Sequence, residues 1–348
     1  MLAPPPEAVF DRYFRNKLTR EEQQDYRCKV DLDLIAHEPT RLLLEDVQVA
    51  INNAYAAQRF RIASKDYLRG VHFDYVLSSV ANAVAFQDEG FAFVGFTIPM
   101  FDNIATVCKL LTDAPQIAGL FRPGEVTAQE QNQLFIAFLG LQHQFVACHE
   151  LGHHFHGHSS AGATASATWQ EFADKTGQGG FRAQAKERDA DGFAAHMMLR
   201  NCIAGHPRGK FLELLGQPDD APDDLLLSAL IIAAGSFFFY RAGPFDAEKI
   251  EELTHPPAAA RLHFIVEEIV AWLQEHRPAS AGFVTLERFS VLMKAVADAL
   301  CIQTSGEQWD LQIDFLLSPR GKEYLEIIAH HQAALRDEMT SFRWELTS

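Results

Sequence analysis

Apolar side chains recur at intervals of three and four residues along most of the sequence, as in helices that bury one face. The pattern is interrupted at Ser318-Pro319-Arg320-Gly321, where a proline and a glycine predict a break between helices. On this basis we predict helices over residues 41–56, 74–86, 181–202, 223–241 and 256–275, and three more between residues 285 and 346.

One segment predicts a strand. Residues 91–98 read Phe-Ala-Phe-Val-Gly-Phe-Thr-Ile, are rich in aromatic and β-branched side chains, and follow a predicted turn at residues 87–90. Pro99 closes the segment. The fold class expected from these patterns is therefore α+β, mainly helical, with a small sheet.

A long helix is predicted to begin at Thr127. Thr127 and Glu130 have the spacing of a capping box, and the apolar pattern that follows continues into residues 149–158. The segment after this helix, residues 159–180, is small, polar and glycine-rich, which predicts a loop.

The predicted helix contains His149-Glu150-Leu151-Gly152-His153. Two histidines four residues apart on a helix differ by about 40° in direction, so both can bind one metal ion. Glu150 lies beside them, placed to accept a proton from a metal-activated water. The alternative is a surface helix with a histidine cluster. We expect His154, His156 and His158 to lie beside the ligands or on the surface and not to bind the metal.

A third ligand is required for a catalytic zinc site. The metzincin spacing fails, because a serine stands six residues after His153. Glu187 and Asp191 share one face of a later predicted helix, so Glu187 can ligate zinc while Asp191 accepts the N–H of a ligand histidine. The alternative is that Glu187 and Asp191 lie on a solvated helix and bind no metal, since carboxylates at this spacing are common on such helices.

A third segment, Thr254-His255-Pro256-Pro257 followed by Arg261, completes a pattern that resembles the gluzincin zinc metallopeptidases, in particular the M48-type group. It also resembles soluble bacterial phage-exclusion peptidases of the Lit type. A structural alternative for this segment is a helix that simply begins at a proline. The resemblance covers roughly residues 90–265 and implies a zincin-type fold, one Zn²⁺ per chain and a protein or peptide substrate.

The resemblance also implies roles for individual residues. His149, His153 and Glu187 would be the zinc ligands, Glu150 the general base, and Asp191 the residue that orients His149. His255 would stabilise the developing oxyanion, and Arg261 would pair with a carboxylate of the site. An extended substrate would add to the edge of the sheet along the predicted strand, at Phe93, Gly95 and Thr97.

Two other functions use the same residues. One is a zinc hydrolase of a non-peptide amide, and the other is a regulatory zincin scaffold that senses a ligand or partner. An intact glutamate at position 150 argues against the second, since a scaffold does not require a base there.

Composition limits the partners and the cellular compartment that we expect for this protein. The net charge of −16 disfavours binding to nucleic acid or anionic membranes. Five scattered cysteines, no secretory signal and an apolar stretch of only 16 residues at 225–240 predict a cytoplasmic protein without a membrane span. The family resemblance implies that the protein is bacterial. We expect an N-terminal helical region (1–89), a catalytic core (90–276) and a C-terminal helical region (285–348), with the oligomeric state left open.

Overall fold

Helices make up most of the computed structural model, which describes residues 4–20, 22–56, 60–62, 68–158, 180–300, 303–340 and 343–346. The α+β, mainly helical class predicted from the sequence is confirmed. The helices are α1 Pro6–Asn16, α2 Glu22–Asp25, α3 Glu38–Ala56, α4 Ile98–Asp113, α5 Pro115–Phe121, α6 Ala128–Phe155, α7 Gly180–Leu199, α8 Pro207–Leu214, α9 Asp223–Tyr240, α10 Ala258–His276, α11 Pro278–Ala281, α12 Leu286–Leu300, α13 Gln303–Leu317 and α14 Pro319–Glu338. The strands are β1 Tyr26–Lys29, β2 Phe60–Ile62, β3 Gly70–Ser78, β4 Ala83–Asp88, β5 Phe91–Thr97 and β6 Trp344–Leu346.

The described residues divide into two compact units. The first lies within residues 1–103, 149–176 and 333–348, and the second within residues 104–148 and 177–332. The three regions expected from the sequence, 1–89, 90–276 and 285–348, stay a prediction.

A four-stranded sheet in the order β1-β3-β5-β4 organises the first unit. β5 pairs in parallel with β3 and antiparallel with β4, so both of its edges are hydrogen-bonded. The prediction that residues 91–98 form the edge of the sheet is therefore wrong. A strand whose N–H and C=O groups are already paired on both sides has none left for an added peptide. Phe93, Gly95 and Thr97 are interior positions, and all three are buried.

Helix α1 covers this sheet with aromatic side chains. Phe10 packs against Phe93 with ring centroids 5.6 Å apart, and Tyr13 stacks on Phe86 at 4.0 Å. Phe10 and Phe86 are fully buried. Burial of each such ring stabilises the fold by about 1.5–3 kcal/mol, so α1 is a structural part of the sheet.

The predicted helix over residues 74–86 is wrong, because β3 continues through Ser78 and β4 begins at Ala83. β3 lies inside the sheet and is buried from His72 to Val76, and within the predicted range its apolar residues Tyr75, Val76 and Leu77 are consecutive. Such a run cannot be told from a helix by periodicity alone. The turn expected at residues 87–90 is present as a two-residue hairpin, with Glu89 at φ 47° and Gly90 at φ 81°.

The second unit is helical. α9 is buried along nearly its whole length, and α10 packs against both α9 and α7. In the described part of the chain, α9 is the one helix long and apolar enough to cross a membrane by length and composition. Within the protein, 78% of that segment is buried, as in a core helix.

The other predicted helices are present with small shifts of their ends. α3 begins at Glu38, three residues before the predicted start, and α13 ends one residue before the predicted break at Ser318. The three C-terminal helices are α12, α13 and α14. The predicted loop 159–180 lies outside the described residues except for Gly180, where α7 begins.

Candidate metal centre

Helix α6 presents the HExxH residues at its C-terminal end. Its start is set by the predicted capping box, in which the Glu130 N–H donates to Thr127 Oγ1 at 3.3 Å and the Thr127 N–H donates to Glu130 Oε2 at 2.9 Å. From there the helix runs 28 residues to Phe155. The capping box thus fixes where the helix begins, and the histidines occupy its last two turns.

His149 and His153 face each other across one helical turn. Their Nε2 atoms are 3.2 Å apart, and their rings are perpendicular with centroids 4.8 Å apart. Both side chains are buried, at 7% and 3% exposure. The structure thus brings one nitrogen of each imidazole in the motif to within contact distance of the other.

Glu187 lies in the middle of α7 and is 5% exposed. One ligand atom from each of His149, His153 and Glu187 lies within 4.8 Å of the other two. Two imidazole nitrogens and a carboxylate oxygen form the donor set of many divalent-metal sites. This buried group could therefore bind a metal ion.

Gln184 fixes the N-terminal half of α7. Its side-chain amide donates to the carbonyl oxygens of Ile250 and Leu253, and its carbonyl oxygen accepts from the hydroxyl of Tyr324 at 2.7 Å. The segment that contains Ile250 and Leu253 is therefore hydrogen-bonded to α7, and His255 follows it two residues later. One buried glutamine thus connects the helix that carries Glu187 with the loop that carries the predicted His255.

Arg261 on α10 interacts with both acidic residues of α7. It donates to the two carboxylate oxygens of Asp191 at 2.7 Å each, and its Nη2 is 3.3 Å from Glu187 Oε2. Its guanidinium also lies over the ring of Phe238. The roles implied for Asp191 and Arg261 stay predictions, although the structure brings both beside Glu187.

His255 is the most exposed of the predicted site residues, with 38% of its side chain accessible. Its Nε2 is 3.6 Å from Glu187 Oε2, and its Nδ1 is 2.9 Å from the hydroxyl of Thr254. One side of the ring therefore faces Glu187 while part of the ring stays open to solvent. Its role at an oxyanion stays a prediction.

Glu150 is 9% exposed and is part of the first unit, as is Tyr26 on β1. Burial raises the pKa of Tyr26, an effect opposed by a hydrogen bond from Asn82 and increased by the charges of Asp25 and Glu150. Glu150 is thus within electrostatic range of a phenol that stays protonated. Nothing in the sequence around Tyr26 indicates this placement.

Three further histidines follow the motif, and none of them is on the surface. His154, His156 and His158 are 0%, 7% and 5% exposed. His154 donates from Nε2 to the Phe93 carbonyl of β5 at 2.9 Å, and His158 Nδ1 is 3.2 Å from His153 Nδ1. The alternative of a surface histidine cluster is therefore wrong.

Residues close to the C-terminus pack against this histidine-rich turn. Arg343 donates from Nη2 to His156 Nδ1 at 2.9 Å. Trp344, at the start of β6, stacks on His154 with centroids 5.3 Å apart and planes 11° apart. No sequence motif marks these two residues, because their partners are nearly 190 positions away.

A comparison with protein families identifies the class of enzyme to which this chain belongs. The chain belongs to the peptidase U49 family, whose model matches residues 101–280, just over half of the chain. The matched range includes the HExxH motif, Glu187, Asp191, His255 and Arg261. The prediction of a peptidase is thereby confirmed.

No curated protein and no solved structure matches this chain.

Proposed function

We propose that this peptidase is a zinc-dependent endopeptidase of the gluzincin type, with His149, His153 and Glu187 as metal ligands. The observation that carries the proposal is the 3.2 Å separation of the two Nε2 atoms. Two nitrogens bound to one tetrahedral zinc at 2.0–2.1 Å lie about 3.3 Å apart. The imidazoles are therefore already spaced for a shared cation.

The surroundings of Glu187 support the same proposal. Its carboxylate is buried beside the guanidinium of Arg261, which binds Asp191 with two parallel hydrogen bonds. Such a fork fixes the orientation of Asp191 and keeps the guanidinium 3.3 Å from Glu187. A ligand held in position by its neighbours loses little conformational entropy when it binds a metal.

A zinc ion bound there would supply a Lewis acid that activates water and polarises a carbonyl. Glu150 would accept the proton of the attacking water and transfer it to the leaving amine. His255 is half-exposed next to Glu187, where it could donate to the oxygen that gains negative charge. Arg261 would keep Glu187 oriented throughout.

The family match favours peptide bonds over other amides as the substrate. No described contact favours a purely regulatory scaffold, and the presence of Glu150 between the two histidines argues for chemistry. We therefore retain hydrolysis of a protein substrate as the proposed reaction.

Metal content tests the ligand set. Purified protein should contain about one zinc per chain, and His149→Ala, His153→Ala and Glu187→Ala should each lose it. His37→Ala, which changes an exposed histidine outside the motif, is the matched control and should keep the metal. Full zinc occupancy in Glu187→Ala, measured by mass spectrometry of the metal, would contradict the gluzincin assignment.

Activity tests the base. Wild-type protein added to a cell extract should create new protein N-termini, whereas Glu150→Gln should create almost none while it keeps zinc and its fold. The exposed Glu125→Gln is the control for loss of one carboxylate. Equal numbers of new termini from wild type and Glu150→Gln would exclude the mechanism.

We also propose that the enzyme acts in the cytoplasm on a specific protein. The four described cysteines, Cys28, Cys108, Cys148 and Cys202, are free thiols, as a reducing compartment would maintain them. Fractionation of expressing cells should recover the protein with cytoplasmic markers. Recovery in the membrane fraction would contradict the proposed location.

A further inference from the structure

His153 has a neighbouring imidazole at each of its ring nitrogens. Its Nε2 is 3.2 Å from His149 Nε2, and its Nδ1 is 3.2 Å from His158 Nδ1. A neutral imidazole carries one N–H, on one nitrogen or the other. The two contacts of His153 therefore require different roles from its two nitrogens.

The position of the single ring proton of His153 decides between these roles. The inference rests on the proposed function, in which His153 is a metal ligand. If Nε2 of His153 binds the metal, its single proton is on Nδ1. That N–H then points at His158 Nδ1, which must accept it and so carries its own proton on Nε2. We propose that His158 is a positioning residue, which fixes the tautomer and ring orientation of the ligand His153.

This role is usually filled by a carboxylate, a backbone carbonyl or a water. Here the acceptor is a second neutral imidazole, 5% exposed and close to the end of the same helix. A neutral acceptor fixes the ligand's tautomer without the added negative charge of a carboxylate. His158 thus orients the site and leaves its net charge unchanged.

The end of α6 explains how His158 reaches this position. The His158 N–H donates to the His153 carbonyl at 2.8 Å, and the Gly157 N–H donates to the His154 carbonyl at 3.0 Å. Gly157 has φ 81°, which completes the hydrogen-bond pattern of a Schellman cap. The cap turns the chain back on itself, and this returns the His158 side chain to the ring of His153.

A neighbouring histidine holds the ring of His158. His156 stacks on it with centroids 5.8 Å apart and planes 27° apart. Arg343 can only donate, so its 2.9 Å contact with His156 Nδ1 makes that nitrogen an acceptor and fixes the orientation of His156. His158 is thereby packed between His156 and the ligand.

Two amide substitutions separate this role from simple packing. In His158→Asn the amide oxygen is bonded to Cγ, as Nδ1 is, so an acceptor remains opposite His153. In His158→Gln the acceptor is one bond further along the side chain, where it corresponds to Nε2. His158→Leu removes every acceptor at similar volume.

The measurement is zinc affinity, by competition with a chromophoric chelator, together with the absorption spectrum of the cobalt-substituted protein. His158→Leu and His158→Gln should bind zinc 10–100-fold more weakly than wild type and shift the cobalt bands. His158→Asn should bind within a few fold of wild type. A melting curve of each metal-free protein monitors folding, and if the leucine variant fails to fold, the asparagine and glutamine pair decides.

Two results would overturn the proposal. If His158→Gln binds zinc as tightly as wild type, His158 does not act through the His153 N–H. If His158→Asn loses as much affinity as His158→Leu, the ring itself and not its acceptor is required. A wild-type protein that binds no zinc would overturn the proposed function as well, which separates the two failures.

Discussion

Arg261 binds Asp191 through two parallel hydrogen bonds of 2.7 Å, one from Nε and one from Nη2. Asp191 is fully buried, and 13% of the Arg261 side chain is exposed. The pair joins α7 to α10 within the second unit, next to Glu187. It links the stability of that unit to the orientation of a proposed ligand.

Removal of Arg261 should therefore destabilise the protein strongly. Arg261→Ala leaves the buried Asp191 carboxylate without its main partner, a change that typically costs 3–5 kcal/mol, as urea unfolding would show. Arg261→Lys should recover only part of this, because an ammonium cannot form the fork. The exposed pair of Arg320 and Glu248 is the control, and Arg320→Ala should cost about 0–1 kcal/mol. Equal effects at the two arginines would contradict this role.

His255 should act on rate more than on binding. If it donates to the developing oxyanion, His255→Ala lowers kcat on the order of 100-fold with a smaller rise in KM. Zinc content should stay unchanged, since His255 is 3.6 Å from Glu187 and outside the ligand group. Steady-state kinetics and metal analysis on one preparation test both statements. Loss of zinc would mean that His255 instead supports Glu187.

Gly95 should be a packing position. A Cβ at this residue would lie 3.0 Å from the side chains of both Val76 and Val84, and 3.2 Å from Phe10. Gly95→Ala should therefore lower the free energy of unfolding by about 1–3 kcal/mol. Gly119→Ala is the matched control, because its Cβ meets open space and alanine favours the helix. Unchanged stability of Gly95→Ala would contradict this packing role.

His143 should make stability depend on pH. Burial lowers its pKa from 6.5 to about 4, although its hydrogen bond to the Leu139 carbonyl opposes this. The unfolded chain takes up a proton near pH 6.5, so stability falls as the pH drops from about 6.5 toward 4. The loss at pH 4 is roughly 3 kcal/mol.

The test compares wild type with His143→Phe by urea unfolding at pH 7.5 and pH 4.5. The phenylalanine keeps a ring in the core but cannot be protonated, so its stability should fall less between the two pH values, by roughly 2–3 kcal/mol. Other acidic groups titrate alike in both proteins and cancel in the difference. Identical pH dependence would show that His143 is not the titrating group.

The sequence was most informative about features that depend on residues within one helical turn of each other. The capping box at Thr127 and Glu130 sets the start of α6, and the four-residue spacing of His149 and His153 places both on one side of it. Glu187 and Asp191 were also found from helix periodicity, and their helix is present from Gly180 to Leu199. Helical hydrogen bonds join residues four apart, so such features can be read along the chain.

The arrangement of the sheet was not readable in this way. A helix was expected over residues 74–86, where Tyr75, Val76 and Leu77 are consecutive apolar residues, and β5 was expected at an edge. Which strands become neighbours depends on pairing between distant segments, and one strand's sequence does not record its partners. Only the tertiary structure shows β5 between β3 and β4.

The sequence by itself thus determined the peptidase class, the helical character and the residues that carry the proposed chemistry. Tertiary structure alone decided what surrounds them. Arg261 reaches Asp191 across 70 positions, and Arg343 reaches His156 across 187. The His158 contact with His153 is close in sequence, yet it depends on a left-handed residue at Gly157 and on rings packed around it. Local spacing encodes which groups are available, whereas packing between distant segments fixes their orientation and their hydrogen-bond partners.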